Sequence, residues 1–274
     1  MALMGRRVAV SIPDTVLEEK ESPRDKTAKL GLIARTCAVY GVDLIEVFGD
    51  PAGHGEAGDI CKVLEYLDTP QYLRRRLFPL DETLRFAGML PPLRIPSHKP
   101  RVQFDAKLVG EFREGVANAD GTVDIGLGVS PRVRGEASAG KRVTVRVSSV
   151  DPPMADVVSR EQVGGYWGYA VEHKRLAEVF SDQRFRARVA TSRLGTPLPE
   201  GLAKMRALLR GGEGVKLVFG SPSRGLFEMT GGDLRRKVDL VLNLFPGQQV
   251  ETVRTEEALS AGLGLVNFVS ADKA

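Results

Sequence analysis

Apolar positions open the chain in a strand, helix, strand pattern. Val8 to Ile12 is a compact apolar run; Ser22 followed by Pro23 marks a helix start; Leu30, Ile33, Ala34, Cys37 and Ala38 recur at helical spacing; Gly41 closes the helix. Leu44 to Phe48 returns as a second strand, which predicts a βαβ-type opening. The glycine-rich stretch from Gly49 to Asp59 reads as a loop. A second helix is predicted from Ile60 to about Leu67, followed by Pro70 to Arg76.

The periodicity changes at Pro91 and Pro92, and Ile95 to Pro100 holds two more prolines, so a boundary is placed there. Beyond it the chain is β in character. Lys107 to Arg113, Gly115 to Ala117, Thr122 to Gly126 and Arg142 to Ser148 are short runs broken by turn residues, and the pattern ends near Asp151-Pro152-Pro153. Several short strands with frequent turns predict a small barrel, with the OB-fold the natural candidate. From Gly164 the α/β alternation resumes. Strands are expected near Tyr166 to Val171, Arg188 to Thr191, Val215 to Phe219 and Leu240 to Leu244, with helices at Lys174 to Phe180, Gly201 to Leu209 and Thr255 to about Val269. Thr255 suits the cap of the last helix, and Glu256 and Glu257 suit the positive end of its dipole. The expected organisation is one α/β unit, residues 1–93 and 159–274, interrupted by an inserted β-barrel at residues 94–158.

Composition adds limits. With 42% apolar residues, 274 residues can bury a real core. No run approaches a membrane span, and Met1 to Arg7 leads into the first strand without a signal peptide's apolar region, so a soluble, cytoplasmic protein with no membrane partner is expected. Cys37 and Cys61 fall in apolar-periodic segments and read as reduced packing residues. The net charge of +4 is modest, but Arg94 to Ser148 holds ten Lys or Arg against six Asp or Glu, a surplus equal to that of the whole chain. Should the partner be a polyanion, such as the RNA that the resemblance described below implies, the candidate backbone contacts are Lys99, Arg101, Arg132, Arg134, Lys141, Arg142 and Arg146, with Phe104 and Phe112 the few stacking aromatics.

The usual catalytic signatures are missing. There is no Walker loop, nucleophile elbow or dinucleotide fingerprint, and His54, His98 and His173 have no ligand spacing, so no metal is expected. Two glycine-bearing loops remain, each after a predicted buried strand. These are Gly220-Ser221-Pro222-Ser223-Arg224-Gly225 and Asn243-Leu244-Phe245-Pro246-Gly247-Gln248. Ligands in open α/β sheets bind beyond the carboxyl ends of strands, and the two loops form a candidate pocket there; each alone is also ordinary turn chemistry.

Longer strings carry a resemblance. Leu64-Glu65-Tyr66-Leu67-Asp68-Thr69-Pro70-Gln71-Tyr72-Leu73-Arg74-Arg75, Phe86 to Leu93, Gly165 to Tyr169, and Asn243 to Gly247 with Thr252 to Ala258 resemble the SPOUT class of methyltransferases, in the subfamily shared by archaea and eukaryotes. The similarity runs over nearly the full chain, insertion included. It implies a parallel sheet tied in a deep trefoil knot, an inserted OB-fold-like barrel, a homodimer, and S-adenosyl-L-methionine as cofactor. By the same resemblance, Thr191 and Ser192 begin the first cofactor loop, Gly220 the second, and Leu242, Asn243, Pro246 and Gly247 the third, closed by Thr252, Arg254 and Thr255. The first loop departs from the class pattern: Thr191-Ser192-Arg193-Leu194-Gly195 stands where Thr-Ser-Glu-Arg-Gly is expected.

Methyl transfer from a sulfonium needs alignment and desolvation more than acid or base machinery. Arg254 is the candidate for orienting the acceptor, with Glu256 or Glu257 as assistants; a plain helix-start charge pattern explains the glutamates equally well. The class points to ribosomal RNA and a uridine N3. A non-catalytic RNA-binding scaffold and an RNA chaperone that keep the fold are the alternative readings.

Overall fold

A computed structural model of the chain describes residues 7–17, 21–53, 55–212 and 214–271; His54 and the residues before Arg7 lie outside them. Eleven named strands make two sheets. The first holds β1 (Val8–Pro13), β2 (Leu44–Gly49), β8 (Ala170–Arg175), β9 (Ala187–Pro197), β10 (Val215–Val218) and β11 (Leu240–Asn243) in the order β11-β9-β10-β1-β2-β8, every neighbour parallel. β1 and β10 are buried at every position, as a sheet covered on both faces requires.

Helices cover the faces. α1 (Pro23–Val39) begins where the sequence predicts, with the Ser22 hydroxyl accepting from the Asp25 N–H at 3.2 Å, and ends before Gly41, whose φ of 65° suits glycine. α2 (Ala57–Asp68) buries Ile60, Val63, Leu64 and Leu67, and α3 (Gln71–Leu77) follows it. α4 (Leu176–Ser181), α5 (Leu198–Arg210), α6 (Leu226–Met229), α7 (Leu234–Lys237) and α8 (Thr255–Ala271) complete the set. Both cysteines are free; burial pushes the Cys37 thiol up, and the Cys61 thiol up to about 11.

The second sheet is made wholly within residues 112–158: β3 (Phe112–Ala117), β4 (Val123–Asp124), β5 (Arg132–Arg134), β6 (Arg142–Val150) and β7 (Pro153–Val158), in the order β4-β3-β6-β7-β5. It is antiparallel except for β5 with β7. The sheet curls: Val123 N donates to Pro131 O at 2.9 Å and Val133 N to Gly121 O at 2.9 Å, linking its two edges around a core of Leu108, Val123, Ile125, Leu127, Val145, Val147 and Ala155.

Several predicted elements shift. Lys107 to Arg113 is a helical turn at Ala106–Leu108 and strand only from Phe112, because the Asp105 side chain caps the turn. Asp151-Pro152 is the turn between β6 and β7, not the end of the β pattern, and the alternation of β7 was too weak to read as a strand. The strand expected at Tyr166 to Val171 starts at Ala170 and runs to Arg175, and the helix expected from Lys174 is confined to α4. Edge position leaves β8 half-polar, which hides its period.

Candidate functional site

β9 does not run straight along β11. Val241 pairs with Ala190, but the next residue, Leu242, pairs with Thr196, so Thr191 to Gly195 leave the ladder as a five-residue excursion and then rejoin it. Gly195 makes the return possible: a Cβ there would stand 2.7 Å from Leu242 C and 2.8 Å from Asn243 N, both rigid backbone.

This excursion and the loops after β10 and β11 enclose a cavity of about 460 Å3 at the carboxyl ends of the three strands. Thr191, Ser192, Arg193 and Leu194 form one wall, Gly220 to Ser223 with Gly225 a second, and Asn243 to Phe245 with Gln248 and Glu251 to Val253 a third. Phe219, Phe227 and Ala258 add apolar surface.

Hydrogen bonds tie the walls together. Asn243 Nδ2 donates to Arg193 O at 3.1 Å while its Oδ1 accepts from Phe245 N at 3.0 Å, so one side chain fixes the first and third loops. Thr255 Oγ1 donates to Gly220 O at 3.0 Å, joining the start of α8 to the second loop. That loop is also held from below: the Arg224 N–H donates to Ser221 Oγ at 3.0 Å, and its guanidinium pairs with Glu228 and with Asp50 at the end of β2. Gly220 is confined, since a Cβ would meet Arg224 O at 3.0 Å. Beside Asp50, burial raises the Asp14 carboxyl above its usual range, against the hydrogen bond it accepts from Asp50 N.

Of the expected cofactor residues, Thr191, Ser192, Gly220, Asn243, Thr252 and Thr255 line the cavity. Leu242 is buried beneath it, and Pro246 and Gly247 are exposed at the tip of the third loop, where a Cβ on Gly247 meets nothing within 4 Å. Thr255 is not the helix cap: its hydroxyl is spent on Gly220, and Glu257 reaches back instead, its Oε2 accepting from the Arg254 N–H at 2.9 Å. Arg254 is exposed between two cavity-lining residues, and its guanidinium has no ion pair among the described residues. Glu256 lies elsewhere; it is buried, outside the cavity wall, with Oε2 lacking a hydrogen-bond partner among the described residues.

The expected RNA contacts separate into groups. Arg132, Arg134, Lys141 and Arg146 are exposed on the curled sheet; Asp156 faces both Arg134 and Arg146 across the strands. Lys99 and Arg101 border a cleft between α3 and that sheet. Phe104 packs against the small core, whereas Phe112 is half-exposed opposite Arg146. Arg142 is inside a junction. Its guanidinium donates to Asp68 Oδ2 at 2.9 Å and Glu114 Oε2 at 2.5 Å, which outweighs its burial and keeps it fully charged but leaves no face for a ligand. The Trp167 Nε1–H donates to the same Glu114 and the Tyr169 N–H to the same Asp68. Sequence reasoning missed Phe219, Phe227 and the Asp50–Arg224 brace; a phenylalanine directly before Gly220 was a usable signal, whereas the brace joins residues 174 apart.

No helix among the described residues is long and apolar enough to cross a membrane, and they contain no cluster of His, Cys, Asp and Glu suited to a metal. Residues 7–266 match the family model described as "Putative RNA methyltransferase". The chain is 35% identical to an uncharacterized protein of Halobacterium salinarum, over 93% of this chain and 97% of that one. It is also 35% identical to one of Haloarcula marismortui, over 93% and 96%. The human 28S rRNA (uridine-N(3))-methyltransferase is 32% identical over 93% of this chain and 76% of its own length.

Proposed function

This chain belongs to the RNA methyltransferase family that residues 7–266 match, and from that premise we propose that it is a cytoplasmic, SPOUT-class enzyme methylating N3 of a uridine in ribosomal RNA with S-adenosyl-L-methionine. The observation that carries the reading is the three-walled cavity at the carboxyl ends of β9, β10 and β11. Its size suits a nucleoside-sized ligand, and its wall combines apolar side chains with close backbone at Gly220. The residues fit the cofactor: Thr191, Ser192, Gly220, Asn243, Thr252 and Thr255 would hold it, with Phe219, Leu244 and Phe245 against its apolar surface. When bound, it supplies an electrophilic methyl group on a sulfonium leaving group.

The protein's own part is alignment. Asn243 and Thr255 fix the three loops before any ligand enters, so little ordering remains to be done on binding. Arg254 is uncommitted at the rim and would hold a carbonyl or phosphate oxygen of the acceptor nucleotide. The N3 proton of the uridine leaves to water at the open mouth. Glu256, sealed away from the cavity, takes no part in that transfer.

The same reading covers the architecture. The curled sheet of residues 112–158 supports an OB-fold-like insertion at 94–158 between 1–93 and 159–274, and the five-residue excursion of β9 out of its ladder with β11 is compatible with the trefoil knot that the resemblance implies. The homodimer that the resemblance implies would draw on apolar side chains left exposed on two helices that pack together, Leu32 and Val39 on α1 and Phe268 on α8.

Calorimetry with S-adenosyl-L-methionine and mass spectrometry of nucleosides from cells with and without the gene test the proposal together. Saturable binding and the loss of one methylated uridine are expected. A chain that binds no cofactor is a scaffold, and the proposal is then withdrawn.

A further inference from the structure

The cleft beside α3, about 700 Å3, is separate from the cofactor cavity and stands at the other end of the parallel sheet. α2 starts next to Asp14 at the carboxyl end of β1 and ends at Asp68, whose carboxylate accepts from Tyr169 just before β8 begins. The cleft comes directly after it, between the segment 92–101 on one side and residues 124–128 of the small sheet on the other. It is therefore beyond the amino ends of β2 and β8, whereas the cavity is at the carboxyl ends of β9 to β11. With strands about 3.3 Å per residue and 4.8 Å apart, the two sites are separated by roughly 25 Å.

Three cations border this cleft: Arg94, Lys99 and Arg101. None of their side chains has a hydrogen-bond or ion-pair partner among the described residues. The one carboxylate in the lining, Asp124, is already engaged by Arg76 at 3.3 Å and by the Gly126 N–H at 2.9 Å. The floor is rigid, because Gly126, at φ 78°, sits so close to the Tyr72 ring that a Cβ would come within 2.3 Å of it. Arg94 is the sole residue other than glycine at positive φ among the described residues, at 54°. A left-handed arginine costs backbone energy that glycine in its place would not, so its side chain is what such a position retains.

We propose that this cleft binds the sugar-phosphate backbone of single-stranded RNA through Arg94, Lys99 and Arg101, gripping the substrate at a point remote from the nucleotide that is modified. The inference rests on the RNA methyltransferase reading above and adds to it a second, separate contact. Free cations without counter-charges gather phosphates, and three of them bordering one cleft of about 700 Å3 suit the successive phosphates of a chain more than an isolated ion.

The probe is an oligouridylate of about 16 nucleotides, the upper end of single-strand site sizes. Wild type is compared with the triple variant Arg94→Ala/Lys99→Ala/Arg101→Ala and with Arg94→Gly alone. The triple variant is expected to bind about tenfold or more weakly, and to reduce the slope of log affinity against log salt by about 2. Arg94→Gly is expected to keep or raise the melting temperature while weakening RNA binding, which a purely structural role for Arg94 does not allow. Cofactor affinity, measured on the same proteins, should be unchanged. If wild type binds no oligouridylate, if the triple variant keeps wild-type affinity and salt slope, or if only Arg132→Ala/Arg134→Ala reduces binding, the cleft is not the site. Loss of cofactor binding in wild type itself would instead refute the enzymatic reading.

Discussion

Arg142 and Asp68 are 74 residues apart in sequence and 2.9 Å apart in space, and the bond between them fastens the curled sheet to the end of α2. Asp68 is 3% exposed and is also approached by Arg160 at 3.4 Å and by the Tyr169 N–H at 3.0 Å. Asp68→Ala leaves Arg142 with Glu114 alone as its carboxylate partner and takes the acceptor from the buried Tyr169 N–H, and is expected to cost about 3 kcal/mol in denaturant unfolding. Arg146→Ala, exposed further along the same strand, should cost no more than about 0.5 kcal/mol. Equal losses for the two would show that the junction does not hold the sheets together.

Gly195 lets β9 rejoin β11, and any side chain there collides with the backbone of Val241, Leu242 and Asn243. Gly195→Ala is expected to destabilise by about 1–3 kcal/mol and to abolish cofactor binding by prising open the first loop. Gly247→Ala, with open space around it, should leave the melting temperature unchanged. Calorimetric titration and thermal melting of both variants separate the two effects.

Arg254 has no counter-charge to lose. Arg254→Ala should melt within about 0.5 kcal/mol of wild type and keep cofactor affinity, while turnover on substrate RNA falls about 100-fold through misplacement of the acceptor. Turnover near wild type would make Arg254 an ordinary surface charge.

Arg184 grips both oxygens of Glu172, at 2.9 and 2.8 Å, and these bonds hold the carboxyl down at about 2 against a usual 4.5. A carboxyl lowered on folding stabilises the protein above its unfolded value, and the contribution is lost as the pH falls from about 4.5 towards about 2. Glu172→Gln is therefore expected to be less stable than wild type at neutral pH, with the gap closing across that window. Urea titrations at stepped pH measure it; a gap that stays constant would show that the ionised carboxylate contributes nothing.

The elements that carry the sheet were legible because each announces itself locally. The buried runs at Val8, Leu44, Val215 and Leu240, the Ser22-Pro23 start of α1 and the stop at Gly41 all arise from short-range periodicity and capping, and each forms within a few residues of its predicted position. The loops after β10 and β11 were legible for the same reason, since glycine and proline after a buried strand end it. β8 was harder, because an edge strand buries too little to show a period, and β7 because its alternation is weak.

By itself, the sequence determined the parallel α/β alternation, the β-rich basic middle and the two glycine-bearing loops, for these depend on side-chain chemistry at neighbouring positions. Tertiary structure decided which of those parts meet. It turned the run from Thr191 to Gly195 out of the sheet, spent the Thr255 hydroxyl on Gly220 rather than on a helix cap, sealed Glu256 away from the cavity, and drew Arg142 from a charged surface into a buried junction with Asp68 and Glu114. The physical reason is that charge and capping propensity belong to a residue, whereas the partner that consumes them is chosen by packing between segments tens to hundreds of residues apart.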